Sequence, residues 1–332
     1  MFKVSLLTAV VTTVLATMSP VSVAQQAPAS ANASDFIAVF KELFGTQPGV
    51  RKGHAKGVCA VGEFSPTAAA QQQFNSPLFG TTSVPLVLRF SMGGGNPEAD
   101  ERSNSPRGIG VQFQLPNNQV HMLAGLSTPM FAGKNPQQFL GLLQLNAKRA
   151  RGEATGDDLQ AYFAANPEVA RQGNFLANNP PAAEYTQSDY FGVHTFLATT
   201  ADGQSQPFRW QLQPQRGTVA LTKEQQQQLP PSFLADRLAA RLAADGQVSF
   251  DWYWQLPEAG DVLDDPSQPW PAERSRIKVG EITVTASHDE ACQQVNFDPN
   301  RLANGIAPSN DPVLAIRSAA YAISWAQRLS GQ

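Results

Sequence analysis

The sequence predicts a single α+β domain whose large antiparallel sheet can close into a barrel. Segments of alternating apolar and polar residues recur along the chain, and Phe208, Trp210 and Leu212 form the clearest alternation. Helical patterns lie before, between and after these segments. No internal repeat, linker or composition break divides the chain after its first 25 residues. The 332 residues therefore predict a short leader followed by one folded domain.

Helices are predicted where apolar residues recur at spacings of three and four, with capping residues or an early proline at the start. They are expected at residues 34–44, from 135, at 157–165, 167–177 and 231–244, and from Asp311 onward. Strands are predicted where side chains alternate between glycine- and proline-rich breaks. They are expected within residues 50–125, notably 84–91 and 108–115, and at 188–199, 207–213, 247–256 and 276–286. The short run Gln225–Gln228 is predicted to be a solvated loop.

The composition indicates a loop-rich soluble protein. Charged residues make up 15% of the chain, against about 25% in typical globular proteins. There are 25 Gly and 25 Pro residues. Lys and Arg total 24 against 27 Asp and Glu, a net charge of −3. This balance argues against a nucleic-acid partner, which requires a basic surface.

The N-terminus has the pattern of a secretory signal peptide, predicted at residues 1–24. Its apolar run, Val4–Ala16, is shorter than the about 20 residues that span a bilayer, and Ser22–Ala24 is a small-residue cleavage site. Residues 25–33 are predicted as a flexible leader and 34–332 as the folded domain. We therefore expect an exported protein, periplasmic in a bacterium, with no membrane span in its mature form.

Two cysteines, Cys59 and Cys292, leave two readings open. An exported protein meets an oxidising compartment, which favours a disulfide. Two widely separated cysteines are equally compatible with small buried core residues, since sequence does not supply the required geometry.

The histidines do not indicate a metal site by their spacing. They are His54, His121, His194 and His288, and no pair has the helical spacing of zinc ligands. By its surroundings alone, His54 is more typical of a structural histidine than of a catalytic one. Arg317 and Tyr321 are four residues apart, so on a helix they share one face. Residue patterns alone thus lead only to an exported α+β domain.

Seven short motifs occur in a characteristic order. They are Arg51–Gly57, Gly62–Phe64, Leu88–Ser91, Pro106–Gly108, Gly192–Phe196, Phe297–Pro299 and Ile316–Tyr321. Through them the sequence resembles the catalase superfamily, and most of all the small catalase-related haem peroxidases, from about residue 50 to 330. The resemblance implies an antiparallel β-barrel catalase core with flanking helices. It also implies that the long N-terminal arm and C-terminal domain of large catalases are lacking.

The resemblance implies a site for haem b with Tyr321 as the axial iron ligand and Arg317 as its partner. His54 matches the distal histidine and Ser91 the serine that hydrogen-bonds to it. The other matching positions are Arg51, Arg89 and Arg328, which correspond to the arginines that bind the propionates, and Phe139, which corresponds to an aromatic residue near the distal face. His194 matches a recurrent family residue, which we interpret as structural.

One position departs from the family pattern. Catalases place an asparagine on the distal side, and Leu126 stands at the matching position here. Leucine cannot hydrogen-bond to peroxide, which predicts weak dismutation. Ser127 follows it, and sequence leaves open whether its hydroxyl compensates.

The predicted function is a haem-dependent peroxidase that reduces hydrogen peroxide or organic peroxides using a small organic electron donor, with weak catalase activity. Two alternatives stay open. One is a hydroperoxide isomerase resembling catalase-related allene oxide synthases, and the other is an exported haem-binding protein without enzymatic activity. No nicotinamide site is expected, and the predicted assembly is a monomer or small homo-oligomer.

Overall fold

The computed structural model describes residues 31–331 together with Met1. Apart from Met1, the predicted signal peptide at residues 1–24 lies outside the described residues. So do residues 25–30 of the predicted leader. None of the helices between residues 31 and 331 combines the length and apolarity needed to cross a membrane.

Within the described residues, nine antiparallel strands form one sheet. They are β1 Gly57–Pro66, β2 Val84–Met92, β3 Arg107–Gln114, β4 Val120–Leu126, β5 Tyr190–Thr199, β6 Ser205–Pro214, β7 Val248–Gln255, β8 Arg276–Ser287 and β9 Ile306–Pro308. Their order is β4-β3-β2-β1-β8-β7-β6-β5-β9. Pairing of Leu126 with Phe191 joins β4 to β5 and closes the first eight strands into a barrel. The predicted α+β class with an antiparallel barrel is confirmed.

The barrel interior is a packed aromatic core. Trp252 and Trp254 are fully buried, and the ring of Phe208 stacks on Trp254 with centroids 3.7 Å apart. Aromatic pairs at such distances add stability beyond the apolar area that they bury. In small barrels, side chains fill the interior in this way, so a ligand has to bind elsewhere.

Strand β2 shows how the barrel also contributes to a polar site. Leu88 and Phe90 belong to the core cluster, whereas Arg89 and Ser91 line a cavity. Successive side chains of a strand point to opposite faces, so the alternation places one polar pair on the side away from the core. Both faces are covered, which explains why almost the whole strand is buried.

Eight α-helices in residues 31–331 flank the barrel. They are α1 Ala33–Phe44, α2 Ala68–Gln73, α3 Pro136–Ala150, α4 Gly156–Ala165, α5 Pro167–Asn178, α6 Lys223–Gln228, α7 Leu234–Asp245 and α8 Pro312–Leu329. Helix α1 begins one residue before the predicted start at Ser34, with Asn32 as its cap. The prediction of a loop at Gln225–Gln228 is wrong. Thr222 and Gln225 form a capping box that starts the short helix α6.

Helices α1, α3 and α8 contact one another beside the barrel. The start of α3 is as predicted, because Asn135 accepts a hydrogen bond from the backbone N–H of Gln138 and Pro136 occupies the first turn. Helix α8 starts in the same way, with Asp311 as its cap. The carboxylate of Asp311 accepts hydrogen bonds from the backbone N–H groups of Val313, at 2.8 Å, and of the next residue.

The two cysteines are joined. Cys59 in β1 and Cys292, beyond β8, form a buried disulfide with a Cα–Cα distance of 5.5 Å. The structure therefore answers the question that the sequence left open. The bond closes a sequence separation of 233 residues.

Candidate functional site

A cavity of about 270 Å³ lies between strands β2–β4 and helices α1, α3 and α8. Seven of the eight predicted site residues line it, namely Arg51, His54, Arg89, Ser91, Phe139, Arg317 and Tyr321. The eighth, Arg328, does not line the cavity, but its charge lowers the pKa of Arg51 and of Arg89. Residues as far apart in the sequence as Arg51 and Tyr321 thus meet at one site.

His54 occupies an unfavourable backbone conformation. Its φ is +52°, in the left-handed region that non-glycine residues rarely adopt. Arg89 holds this turn by donating to the carbonyl oxygens of His54, at 2.7 Å, and Ala55, at 2.8 Å. Such conformations cost on the order of 1–3 kcal/mol and persist where the surroundings fix them, most often at functional sites.

The imidazole of His54 is oriented by Ser91. Its Nδ1 lies 3.0 Å from the Ser91 hydroxyl oxygen. Gly108 leaves room for this pair, because a Cβ there would come within 2.5 Å of the His54 Nδ1 and 2.7 Å of the Ser91 hydroxyl. The pKa of His54 is lowered from 6.5 to about 4, first by burial and then by the charges of Arg89 and other cavity arginines. The ring is therefore neutral at neutral pH and can accept a proton.

Two arginines are held by a segment that follows β8. Arg51 donates through Nη2 to the carbonyl oxygens of Cys292, at 3.0 Å, and Val295, at 2.9 Å. Arg328 donates through Nη2 to the carbonyl oxygen of Gln293. Both guanidinium groups are thereby fixed by neutral acceptors, which orient them and leave their positive charge uncompensated.

Arg51, Arg89 and Arg328 form a cluster of like charges. None has a carboxylate partner among residues 31–331, since their side-chain hydrogen bonds go to backbone carbonyls. Burial, followed by the charges of Arg89 and Arg328, lowers the pKa of Arg51 to about 9. Burial and the charge of Arg328 lower the pKa of Arg89 to about 10, against an opposing contribution from Tyr185. A buried cluster of this kind favours an anionic ligand, above all one with more than one carboxylate.

A series of hydrogen bonds at the cavity ends at the hydroxyl group of Tyr321. Arg317 donates through Nη2 to the Tyr321 hydroxyl oxygen at 2.7 Å, one helical turn along α8. Its Nη1 lies 3.0 Å from His194 Nε2. His194 Nδ1 in turn lies 2.6 Å from the carboxylate of Asp311, which also caps α8. The cap of the helix thus orients the arginine that contacts the tyrosine.

These hydrogen bonds give His194 a larger role than the sequence predicted. Burial lowers its pKa against the opposing effect of Asp311, so the ring is neutral. Neutral imidazole donates from one nitrogen and accepts at the other. His194 therefore donates from Nδ1 to Asp311 and accepts at Nε2 from Arg317. Asp311 was predicted only as the start of a helix, and no sequence signal links it to the strand residue His194, 117 positions earlier.

Aromatic side chains form an apolar wall of the cavity. Phe139 packs edge-on against Phe131, with centroids 4.7 Å apart, and stacks with Phe36 of α1 at 5.7 Å. Phe36 was not among the predicted site residues. Leu126, at the end of β4, also lines the cavity and offers no hydrogen-bonding group.

Ser127 does not replace the missing amide beside Leu126. Its hydroxyl oxygen accepts a hydrogen bond from the backbone N–H of Arg107 at 2.9 Å, and its own N–H donates to the Arg107 carbonyl. Ser127 is absent from the cavity lining. The hydroxyl is therefore used to link the ends of β3 and β4.

The chain was compared with known protein families. The model of the family described as Catalase matches residues 45–332. A protein of Synechococcus elongatus named catalase-related peroxidase is 39% identical over 299 residues, 89% of this chain and 88% of that protein. A protein of Mycolicibacterium paratuberculosis with the same name is 34% identical over 285 residues, 84% of this chain and 89% of that protein.

The fold is similar to that of solved catalases. The crystal structure of a fungal catalase superposes with a TM-score of 0.75 at 21% sequence identity. The match covers 84% of this chain and 59% of the fungal one, so the chain spans about three fifths of that protein's length. At this identity the likeness concerns the fold alone.

Proposed function

The chain belongs to the catalase family, and from that premise we propose that it is a haem-dependent peroxidase. It would reduce hydrogen peroxide or organic peroxides at the expense of a small organic electron donor, with weak catalase activity. The names of its two relatives support an oxidoreductase that acts on peroxide. The observation that carries the proposal is one cavity lined by both the His54–Ser91 pair and the Arg317–Tyr321 pair.

The residues around the cavity fit haem b. Its two propionates would offset the charges of Arg51, Arg89 and Arg328, which have no carboxylate partner among residues 31–331. Phe139 and the other apolar side chains suit the apolar porphyrin, and Tyr321 would hold the iron. When bound, haem supplies a redox-active iron at which the O–O bond of a peroxide is cleaved.

Tyr321 needs a negatively charged oxygen to bind ferric iron. Arg317 places a guanidinium 2.7 Å from that oxygen and supplies both a positive charge and a hydrogen bond. His194 and Asp311 keep the guanidinium in place, because each is itself held by a hydrogen bond. The anionic ligand favours the higher oxidation states that peroxide chemistry requires and disfavours reversible oxygen carriage.

His54 would move a proton between the two oxygens of the peroxide. Because its ring is neutral, it can accept the proton of the peroxide oxygen nearer the iron and return it to the other oxygen. That other oxygen then leaves as water or an alcohol. Ser91 fixes the plane of the ring through Nδ1, which leaves Nε2 for this transfer. A protein that only bound haem would have no use for a strained, oriented distal base.

Leu126 supports weak dismutation. Oxygen release requires a second hydrogen peroxide molecule to be oriented as a reductant, and the leucine side chain offers it no hydrogen bond. Ser127 is used elsewhere, so its hydroxyl does not compensate. An organic donor needs only electron transfer and is less affected.

The test is an absorption spectrum of the haem-supplemented protein, followed by addition of hydrogen peroxide with and without an oxidisable dye. A high-spin ferric spectrum typical of a tyrosinate ligand, with dye oxidation and little oxygen, is expected. Vigorous oxygen release would identify a small true catalase. Conversion of a fatty acid hydroperoxide to a rearranged product without a donor would identify an isomerase. No haem uptake would overturn the proposal.

We also propose that the protein is exported and has lost residues 1–24. The Cys59–Cys292 disulfide supports an oxidising compartment such as the periplasm. N-terminal sequencing of the protein recovered from a periplasmic fraction should start after Ala24, and recovery of the intact N-terminus from the cytoplasm would contradict export. Size-exclusion chromatography with light scattering would test the proposed monomer or small homo-oligomer.

A further inference from the structure

The segment of residues 288–297, here called the strap, connects two sides of the cavity. It lies outside any helix or strand. Cys292 joins it covalently to Cys59 in β1. At its other end, the Asn296 side chain donates to the carbonyl oxygen of Tyr321 in α8, at 3.4 Å. The strap therefore spans from the strand that follows His54 to the helix that carries Tyr321.

The strap supplies the hydrogen-bond acceptors of two cluster arginines. Arg51 donates to the carbonyl oxygens of Cys292 and Val295, and Arg328 donates to that of Gln293. No other side-chain hydrogen bond of Arg51 or Arg328 occurs within residues 31–331. Arg328 also lies over the Trp325 ring of α8, 4.3 Å from its centroid. The strap backbone thus supplies the hydrogen bonds that orient both guanidinium groups, although it is not the only contact of Arg328.

Local turns stabilise the strap itself, for example through the Val295 N–H, which donates to the Cys292 carbonyl oxygen at 3.1 Å. Within residues 31–331, only one backbone–backbone hydrogen bond ties the strap to the barrel. The backbone N–H of His288 donates to the carbonyl oxygen of Cys59 at 3.0 Å. The side chains of Val295 and Phe297 pack with the two cysteines in a small buried cluster separate from the main core. A segment without a strand or helix ladder relies on such local anchors, and the covalent bond is the strongest of them.

We propose that the Cys59–Cys292 disulfide is a positioning element for the cofactor. It holds the strap carbonyls in place so that Arg51 and Arg328 face the haem propionates. The inference rests on the proposed haem site. Arg89 provides an internal comparison, because its guanidinium is held by the carbonyl oxygens of His54 and Ala55 and not by the strap.

The test measures the rate of haem loss from the full-length protein to an excess of an apo-globin acceptor. A Cys59→Ser/Cys292→Ser variant should lose haem about 10-fold faster, the change expected from losing roughly one charge-assisted hydrogen bond. The matched control is Leu238→Ala in α7, a buried residue of the main core cluster and not of the cluster that contains the disulfide. The measuring temperature is chosen so that melting curves show both variants fully folded, and the control should keep the wild-type rate.

A thermodynamic cycle separates positioning from general loosening. In an Arg51→Gln/Arg328→Gln background, removal of the disulfide should change the haem-loss rate by less than about 2-fold, because the two guanidinium groups that the disulfide positions are gone. In an Arg89→Gln background, removal of the disulfide should still accelerate haem loss about 10-fold. If the buried serines prevent folding, Cys59→Ala/Cys292→Val carries the same comparison with apolar side chains.

The outcomes distinguish this proposal from the proposed function. No haem uptake by the wild-type protein would overturn the haem site itself. Haem uptake by the wild type, with the same rate of loss in the double-cysteine variant, would overturn only the positioning role. An equal acceleration in the Leu238→Ala control, or in all arginine backgrounds, would likewise show that the disulfide acts through stability alone.

Discussion

Replacing Leu126 by asparagine should raise oxygen release from hydrogen peroxide without a matching rise in dye oxidation. Leu126 is the last residue of β4, lines the cavity and is only half-buried. Asparagine has nearly the same size and places an amide where the wall now has methyl groups. The amide can donate to a peroxide oxygen, which no group at this position does in the wild-type protein.

The size of the effect follows from one new hydrogen bond. A neutral hydrogen bond formed in the transition state contributes about 1–2 kcal/mol, which corresponds to a roughly 5- to 30-fold faster oxygen release. Loss of the half-buried leucine should cost about 1 kcal/mol of unfolding free energy, which a folded domain tolerates. The side chain of Ser127 stays bound to the Arg107 backbone, so the change is confined to one group.

The assay compares oxygen release, followed with an oxygen electrode, and dye oxidation in the same preparation. Leu126→Ala is the control, because it removes the leucine side chain without adding an amide. A ratio of oxygen to oxidised dye that rises in Leu126→Asn and not in Leu126→Ala is expected. Equal ratios in the two variants would refute the reasoning that the missing amide limits dismutation.

Three further predictions follow from the same contacts. His54→Ala should keep the haem spectrum while peroxide-dependent dye oxidation falls roughly 10²- to 10⁴-fold, and an unchanged rate would exclude His54 as the proton carrier. Arg317→Leu should leave the Tyr321 oxygen without its charged hydrogen-bond donor. The ferric absorption spectrum should therefore change and haem loss should become about 10-fold faster. An unchanged spectrum would contradict this role of Arg317. Acid should destabilise the haem-free protein, because the pKa values of His54 and His121 are lowered from 6.5 to about 4 and about 3, chiefly by burial. As the pH falls from 6.5 to 4, the unfolded chain therefore binds more protons than the folded one. Urea unfolding should show that the free energy of unfolding falls by roughly 3 kcal/mol per histidine at most, and by less for His54 where the cavity admits water. A free energy of unfolding that does not change with pH would show that neither ring is held neutral.

Local patterns were sufficient to predict most of the fold. The start of α8 at Asp311 and of α3 at Asn135 could be predicted because caps and first-turn prolines act within four residues. The run Gln225–Gln228 was mispredicted because a glutamine-rich segment looks solvated whether or not it is helical. Its side chains are indeed mostly exposed, and the capping box at Thr222 was the signal that would have corrected it.

Contacts between distant parts of the chain could not be predicted in this way. Closure of the barrel at Leu126 and Phe191, and the Cys59–Cys292 disulfide, depend on where strands meet in space. The candidate site residues came from resemblance to a family, and the structure brings seven of the eight to one cavity. His194 shows the limit of that approach, since resemblance marked the residue while only the geometry linked it to Tyr321.

The cluster of Arg51, Arg89 and Arg328 explains why this cavity should bind a cofactor tightly without a covalent bond. Buried charges without a counter-charge weaken a fold, and here each guanidinium is oriented by backbone carbonyls that cannot neutralise it. The haem-free protein therefore carries an electrostatic penalty that a ligand with two carboxylates removes. Since folding and binding share this free energy, the ligand should raise the melting temperature more than its apolar contacts alone predict. Rigid carbonyl acceptors also keep the arginines in place before the ligand arrives, which lowers the entropy lost on binding.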